Sequence, residues 1–308
     1  MKIIFMGTPD FAVPSLEILV KNEYPIAAVV TAPDKPRGRG QQVSFTPVKE
    51  TALKYSLPLL QPDSLNDPVF VSAIDSYRAD LIVVVAFRVL PPEVFLKAAK
   101  GAFNLHASLL PRYRGAAPIN WAIINGEKES GVTTFFLKEK VDAGDIILQA
   151  RVAISDTMTA GDLHDTLAEV GAEIVLQTVR LIELGKAQPR VQDHRLSSPA
   201  PKVFRNDCQI NWDSPSARVY NFIRGLAPSP TAWTTHKGTI LKVYRSEVGG
   251  GADEGKKPGA VSVTGSALSV ATLDGSISIL EIQQEGKRRM SADEFLRGYK
   301  LANGDILG

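Results

Sequence analysis

Through its first half the chain alternates short apolar runs with amphipathic stretches. Residues 2–6 (KIIFM) read as a buried strand, 7–10 as a turn, and 11–20 as an amphipathic helix leading to a second strand over 26–31. That βαβ opening predicts a parallel sheet. Residues 47–55 predict a helix, and 79–86 (ADLIVVVA) carry the most hydrophobic strand pattern in the chain, hence a central strand. Pro91 and Pro92 open another helix, at the position where a missing N–H costs nothing. A short strand pattern then ends at Asn104-Leu105-His106, and 118–125 predict a helix closed by Gly126. Residues 131–138 and 146–154 predict two strands joined by the turn Val141-Asp142-Ala143-Gly144-Asp145. The longest helix is predicted over 159–185, with Thr159 and Asp162 at capping spacing and apolar residues at Leu163, Leu167, Val170, Ile174, Val175 and Val179.

Periodicity is lost over 187–205, where proline, serine and basic residues gather as in an interdomain linker. Beyond it come a helix over 215–226, short strands over 231–235, 239–246, 260–264, 267–272 and 276–283, and a last helix capped by Ser291 with Glu294. The fold expected is α/β: a Rossmann-like, mostly parallel sheet domain over residues 1–185, a basic linker over 186–205, and a small OB-like β-barrel domain over 206–308.

Composition narrows the class. The fractions, 44% hydrophobic and 22% charged, are those of an ordinary globular protein. The opening MKIIFMGTPDF holds too short an apolar run before Gly7 and Pro9 for a signal peptide or membrane span. A single cysteine, Cys208, excludes an internal disulfide, and no Cys or His cluster has metal-ligand spacing. A cytoplasmic protein without a metal or membrane contact is therefore expected. The opening turn has one glycine where a dinucleotide fingerprint needs three, and no Gly-Lys-Ser/Thr follows, which disfavours nicotinamide cofactors and nucleoside triphosphates.

Net charge is only +2. Its distribution is uneven: residues 186–205 carry 5 Lys and Arg against 1 Asp, while 206–308 are near balance with 12 against 11. Residues 32–47 form a polar connection much longer than usual, in which Lys35, Arg37 and Arg39 alternate with proline and glycine. It reads either as a solvated surface loop or as a phosphate-contacting arm.

The candidate chemistry centres on Asn104 and His106. Alternation along a strand puts both side chains on one face, roughly 7 Å apart at the Cα atoms. Pro111 and Gly115 then forbid a regular helix, so the pair lies at a strand mouth facing an irregular loop, where ligands bind in open α/β sheets. Asn104 offers N–H donors and His106 can donate or accept, which suits an oxygen that gains charge during reaction. The bland alternative makes Asn104 a turn cap and His106 a satisfied core histidine. Asp142 is ordinary turn chemistry by itself, yet flanking strands would present it to the same crevice, where it could orient His106 and help receive a proton. Serine hydrolysis fits less well, because Ser108 lies two residues from His106 and no Gly-x-Ser-x-Gly elbow exists.

The segment Asn104-x-His106-x-Ser108-Leu109-Leu110-Pro111-x-Tyr113-Arg114-Gly115 closely resembles the signature of enzymes that transfer formyl groups from 10-formyltetrahydrofolate, and the similarity runs over most of the chain. The resemblance implies a catalytic trio of Asn104, His106 and Asp142. It also implies that Ser108, Leu109, Leu110 and Pro111 help bind the folate, with the pterin near Phe87, Leu90 and Val141. Within that family some enzymes formylate a purine precursor or amino sugars, and one hydrolyses the folate. Three features instead resemble the branch that formylates methionyl initiator tRNA: the opening Met6-Gly7-Thr8-Pro9-Asp10-Phe11, the Gly38-Arg39-Gly40 loop, and the added linker and barrel.

That branch implies initiator methionyl-tRNA as partner; a monomer is expected, although the sequence does not show whether the chain self-associates. Lys35, Arg37 and Arg39 would hold the acceptor end, and the linker and barrel would follow the backbone phosphates. A small-molecule formyltransferase and a non-catalytic RNA-binding protein stay open as alternatives. Replacing Lys35, Arg37 and Arg39 together by alanine is expected to raise KM for tRNA and to flatten its log–log salt dependence by about one unit for each phosphate no longer neutralised. Unchanged salt dependence in a filter-binding titration would favour the small-molecule enzyme.

Overall fold

Every residue of Ile3–Met6 and of Leu81–Val85 is buried, as strands at the middle of a helix-covered sheet must be. The computed structural model describes residues 1–37, 42–249 and 256–308. Its chain divides into two compact units, the first made of residues 1–115, 130–152 and 164–199 and the second of residues 116–129, 153–163 and 200–308.

In chain order the first elements are β1 (Ile3–Gly7), α1 (Val13–Lys21), β2 (Ile26–Val30), β3 (Lys35–Arg37), β4 (Gln42–Ser44), α2 (Pro47–Lys54), β5 (Leu59–Leu60), α3 (Pro68–Ser76) and β6 (Leu81–Val85). They are followed by α4 (Pro92–Phe95), β7 (Ala102–His106), α5 (Pro118–Ile124), β8 (Glu129–Phe136), β9 (Ile146–Ala153) and α6 (Ala160–Glu183). The large sheet has the order β5-β2-β1-β6-β7-β8-β9. It is parallel from β5 to β7 and turns antiparallel at β7/β8, where Asn104 faces Phe135 and His106 faces Thr133.

One face of this sheet buries Ile4, Met6, Ala28, Val30, Ile82, Val84 and Ala102 against Phe70 and Ile74 of α3 and Val94 and Phe95 of α4. The opposite face of β7 meets α6. A Cβ on Gly171 would lie 2.7 Å from Leu105 Cδ2, so glycine is what lets the helix approach. A buried hydroxyl pair, Thr134 with Thr178 at 2.8 Å, fixes the same helix to β8.

Several elements lie where periodicity predicts none, among them α3 and the ribbon of β3 and β4. Helix α3 buries only Phe70 and Ile74, too few positions to draw a stripe, and starts instead from its Asp67 cap, which accepts the Val69 N–H at 2.9 Å. The long connection after β2 is a two-stranded ribbon, with Lys35 opposite Ser44 and Arg37 opposite Gln42. Lys35 and Arg37 therefore belong to β3, whereas Arg39 lies outside the described residues. Beside the ribbon, Lys49 pairs with Asp34 and donates to Gln61 at 3.0 Å, and the Lys49 ammonium holds the Asp34 carboxyl below the usual carboxylate range. Phe11 is 5% exposed and packs edge-on against His164, with centroids 5.3 Å apart.

The remaining elements are α7 (Ser216–Leu226), β10 (Ala232–His236), β11 (Thr239–Val248), β12 (Val261–Thr264), β13 (Ala267–Ala271), β14 (Ser276–Gln284), β15 (Met290–Ser291) and α8 (Ala292–Gly298). The strands form one antiparallel sheet in the order β10-β11-β14-β13-β12, with β15 added to β14. Trp212, Ile223, Leu241, Val270, Ile282 and Phe295 are among its core residues. Helix α5 belongs to this unit: Asn120 Nδ2 donates to Gly225 O at 2.8 Å, and a Cβ on Gly225 would meet Ile124 at 2.7 Å. Among the described residues no helix is long and apolar enough to cross a membrane.

Phe103 lies in β7, fully buried between Ala102 and Asn104. Phe103→Ala should cost about 3–5 kcal/mol of stability, read from the urea midpoint of purified protein.

Candidate active site

Ala102, Asn104 and His106 share one face of β7. Ala102 is part of the apolar layer; Asn104 and His106 are where that layer gives way to an amide and an imidazole at the carboxyl end of the strand. His106 is 7% exposed, and its Nε2–H donates to the Tyr113 carbonyl at 2.8 Å. A carbonyl can only accept, so this contact sets the tautomer and makes Nδ1 the ring's basic nitrogen. Asn104 is half-buried, and among the described residues no hydrogen bond engages its amide.

Asp142 comes from the turn between β8 and β9 and brings a carboxylate oxygen 3.9 Å from His106 Nδ1. At that distance the neutral ring and the carboxylate share no hydrogen. Protonation of Nδ1 supplies one, and the pair then becomes an ion pair of a half-buried acid and a buried imidazolium. The other Asp142 oxygen accepts the Gly115 N–H at 2.9 Å. Asp142 sits at φ +52° and Tyr113 at φ +59°, in the left-handed region that costs a non-glycine residue about 1 kcal/mol or more. Both residues that aim groups at His106 are thus held in conformations that the free chain disfavours.

The segment between His106 and Gly115 is pinned from below. Ser108 is fully buried and donates to Arg112 O at 2.7 Å, while its own carbonyl accepts from Thr133 Oγ1. Thr133 also accepts the Leu110 N–H at 3.1 Å, and Gln149 Nε2 donates to Leu110 O at 2.9 Å. Leu110 is buried, whereas Leu109 and Pro111 are half-buried. On the other side of Asn104, Leu90 is 8% exposed and Phe87 packs against the same apolar layer. Around them Val89, Leu96 and Val141 are 69%, 72% and 52% exposed, more than large apolar side chains usually are. A groove of about 430 Å³ runs between the two segments, lined by Pro92, Phe95, Leu96, Leu137, Lys138, Glu139 and Lys140. All ten residues expected at the catalytic and folate positions come from the first unit.

The first 179 residues match the family model described as formyl transferase, and residues 202–300 match the model described as formyl transferase, C-terminal domain. The chain belongs to the formyl transferase family. Among curated relatives, a methionyl-tRNA formyltransferase of Bacteroides thetaiotaomicron is 45% identical over 322 residues, covering 99% of this chain and 97% of that protein. One from Chlorobium limicola is 49% identical over 310 residues, covering 98% of each. Solved structures share the fold at lower identity. The sugar 3N-formyl transferase WlaRD aligns with TM-score 0.68 at 21% identity over 94% of this chain and 99% of that one. HypX of Aquifex aeolicus in complex with tetrahydrofolic acid aligns with TM-score 0.66 at 20% identity over 99% of this chain and half of that one.

In this formyl transferase the sequence singles out Asn104, His106 and Asp142 as candidates but not the residues that hold them in place. Gln192, 3% exposed, donates to both Asp142 O (2.9 Å) and Gly144 O (2.7 Å). Ser198 accepts the Tyr113 N–H through Oγ and the Arg114 N–H through its carbonyl, each at 2.9 Å. Arg190 and Ile146 exchange two main-chain hydrogen bonds of 2.8 Å. A lone glutamine and serine in an aperiodic, basic stretch leave no pattern to read; the signal that was available, Arg114 inside the signature, points to them only once the fold is known. Among the described residues no group of three His, Cys, Asp or Glu could hold a metal.

Gly144 is where the Asp142 turn touches β8 most closely, since a Cβ there would lie 1.6 Å from Phe136 O. Gly144→Ala must displace the turn. The expected result is a fall in kcat of about 100-fold, with a lower urea midpoint as the accompanying sign of a backbone shift.

Proposed function

We propose that this chain transfers the formyl group of 10-formyltetrahydrofolate to the amino group of methionine on initiator tRNA, with Asn104, His106 and Asp142 as the catalytic residues. The observation that carries the assignment is the meeting of three groups from two segments: an amide and an imidazole on one strand face, and a carboxylate 3.9 Å from the imidazole's basic nitrogen. The methionyl-tRNA formyltransferases, alike over nearly the whole chain, support the choice of acceptor.

The amine attacks the formyl carbon, its lone pair forms the new C–N bond, and the carbonyl π electrons move onto oxygen. Asn104, whose amide has no competing internal partner among the described residues, donates to that oxygen. The attacking nitrogen becomes cationic and must lose a proton. His106 Nδ1 takes it, and Asp142 stabilises the imidazolium that results. The C–N bond to the folate then breaks as the oxygen's electrons return, and a proton passes to the departing nitrogen. An α-amino group titrates at about 7.7–8.0, so much of the nucleophile is already neutral, and no covalent enzyme intermediate is required.

The apolar groove and the exposed Val89, Leu96 and Val141 suit the flat ring of the folate, with Phe87, Leu90 and the Ser108, Leu109, Leu110, Pro111 loop completing its walls. Residues 1–185 act as the catalytic domain. The linker over 186–205 and the domain over 206–308, together with Lys35, Arg37 and Arg39, contact tRNA phosphates. The protein works as a cytoplasmic monomer.

The test is an assay with 10-formyltetrahydrofolate and charged initiator and elongator tRNAs. Formyl should appear on initiator methionine alone. Asn104→Ala should lower kcat by about 100- to 1000-fold, and His106→Ala and Asp142→Asn should also lose turnover while tRNA affinity in a filter-binding assay holds. Turnover untouched by His106→Ala would refute the catalytic assignment.

A further inference from the structure

The residues that set the separation of His106 and Asp142 are themselves tied together. Tyr113 O receives the His106 Nε2–H, and Gly115 N–H reaches the Asp142 carboxylate, so two residues flanking Arg114 bond one member of the pair each. On the far side of the turn, both hydrogens of the buried Gln192 amide are spent on the main chain at Asp142 and Gly144. The Gln192 Oε1 accepts from the Arg114 guanidinium, which joins the two holding segments. Arg114 also bonds His194 Nδ1 at 2.9 Å, and its Nε is buried without a partner. Among the described residues it pairs with no carboxylate, so its contacts are with the neutral groups of this brace. The circuit Asp142, Gly115, Arg114, Gln192 and back to Asp142 is closed, and Gln192 lies outside both stretches that the family models match.

We infer that Gln192, held by Arg114, is a positioning residue for the transfer reaction: it keeps the Asp142 carboxylate opposite His106 Nδ1 and makes the segment over 190–199 part of the active site. The inference rests on the catalytic assignment of Asp142 above. Asp142 sits in a left-handed conformation at a turn whose one carboxylate oxygen is already spent on Gly115, so the main-chain carbonyls are where a second support must act. Without the amide, the buried Gly144 carbonyl and the part-buried Asp142 carbonyl lose this donor and the turn is free to relax.

The experiment compares wild type, Gln192→Leu, Gln192→Glu, Asp142→Asn and the double variant Gln192→Leu/Asp142→Asn in steady-state formylation of methionyl-tRNA, with melting temperature in parallel. Gln192→Leu removes the donors at similar volume, and Gln192→Glu replaces them with an oxygen facing two carbonyls. Both should lower kcat by about 100-fold, the loss expected for an ångström-scale misplacement, while KM for folate and for tRNA stays within about threefold of wild type. In the Asp142→Asn background, Gln192→Leu should cost less than about threefold more, because the two act through one group. Should Gln192→Leu fail to fold, Gln192→Glu carries the same comparison. Unchanged kcat in a folded variant, a loss that only tracks the unfolded fraction, or full multiplication of the two single effects would each overturn the inference. Wild type without formylating activity would instead overturn the functional reading beneath it.

Discussion

A buried imidazole 3.9 Å from a half-buried carboxylate is the relation on which the rest of the site depends. The two groups come from different strands' ends, and neither segment alone sets the distance. His106 is aimed by its register in β7 and by the Tyr113 carbonyl; Asp142 is aimed by a turn at positive φ whose neighbour Gly144 must be glycine to pass Phe136 O. A local error of an ångström in either would change that separation without exposing any core residue. That asymmetry explains why so many polar contacts gather on residues 108–115 and 141–145, where packing alone specifies little.

The support is built from neutral groups and the Arg114 guanidinium rather than from ion pairs. Ser108, Thr133, Gln149, Gln192 and Ser198 all spend hydrogen bonds on the main chain of the two site segments. Each such bond contributes only about 1 kcal/mol net, but leaving its buried partner unpaired costs more. A framework of this kind is rigid, and its one charged member, the Arg114 guanidinium, bonds Gln192 and His194 rather than the Asp142 carboxylate. Ion pairs instead sit at the periphery: Lys138 with Asp145 beside the turn, and Lys49 with Asp34 beside the ribbon.

Polar fixation of the site is matched by apolar indifference to detail beneath it. The layer formed by Ile4, Met6, Ala28, Val30, Ile82, Val84 and Ala102 needs only volume and β-propensity, and it ends at the amide and imidazole. Groove and exposed apolar side chains then lie where that layer would have continued toward solvent, between residues 87–96 and 137–141. The core therefore supplies both a floor for the amide and imidazole and an apolar edge to the groove.

Much of this was already written in the order of residues. Strands and the long helix were legible because burial on both faces or along one stripe leaves a period, and Asn104 with His106 were legible because alternation puts i and i+2 together. Helix α3 was not, since two buried positions make no period; nor was the place of α5 among the elements of the second unit. Least legible was the role of Gln192 and Ser198. Hydrogen bonds between residues 50 and 85 positions apart depend on where the chain returns, and polar side chains carry no periodic record of their partners. The chemical types of the candidate groups were thus a property of the sequence, whereas their separation was decided by the tertiary structure, because distance between two segments exists only after the sheet has brought them together.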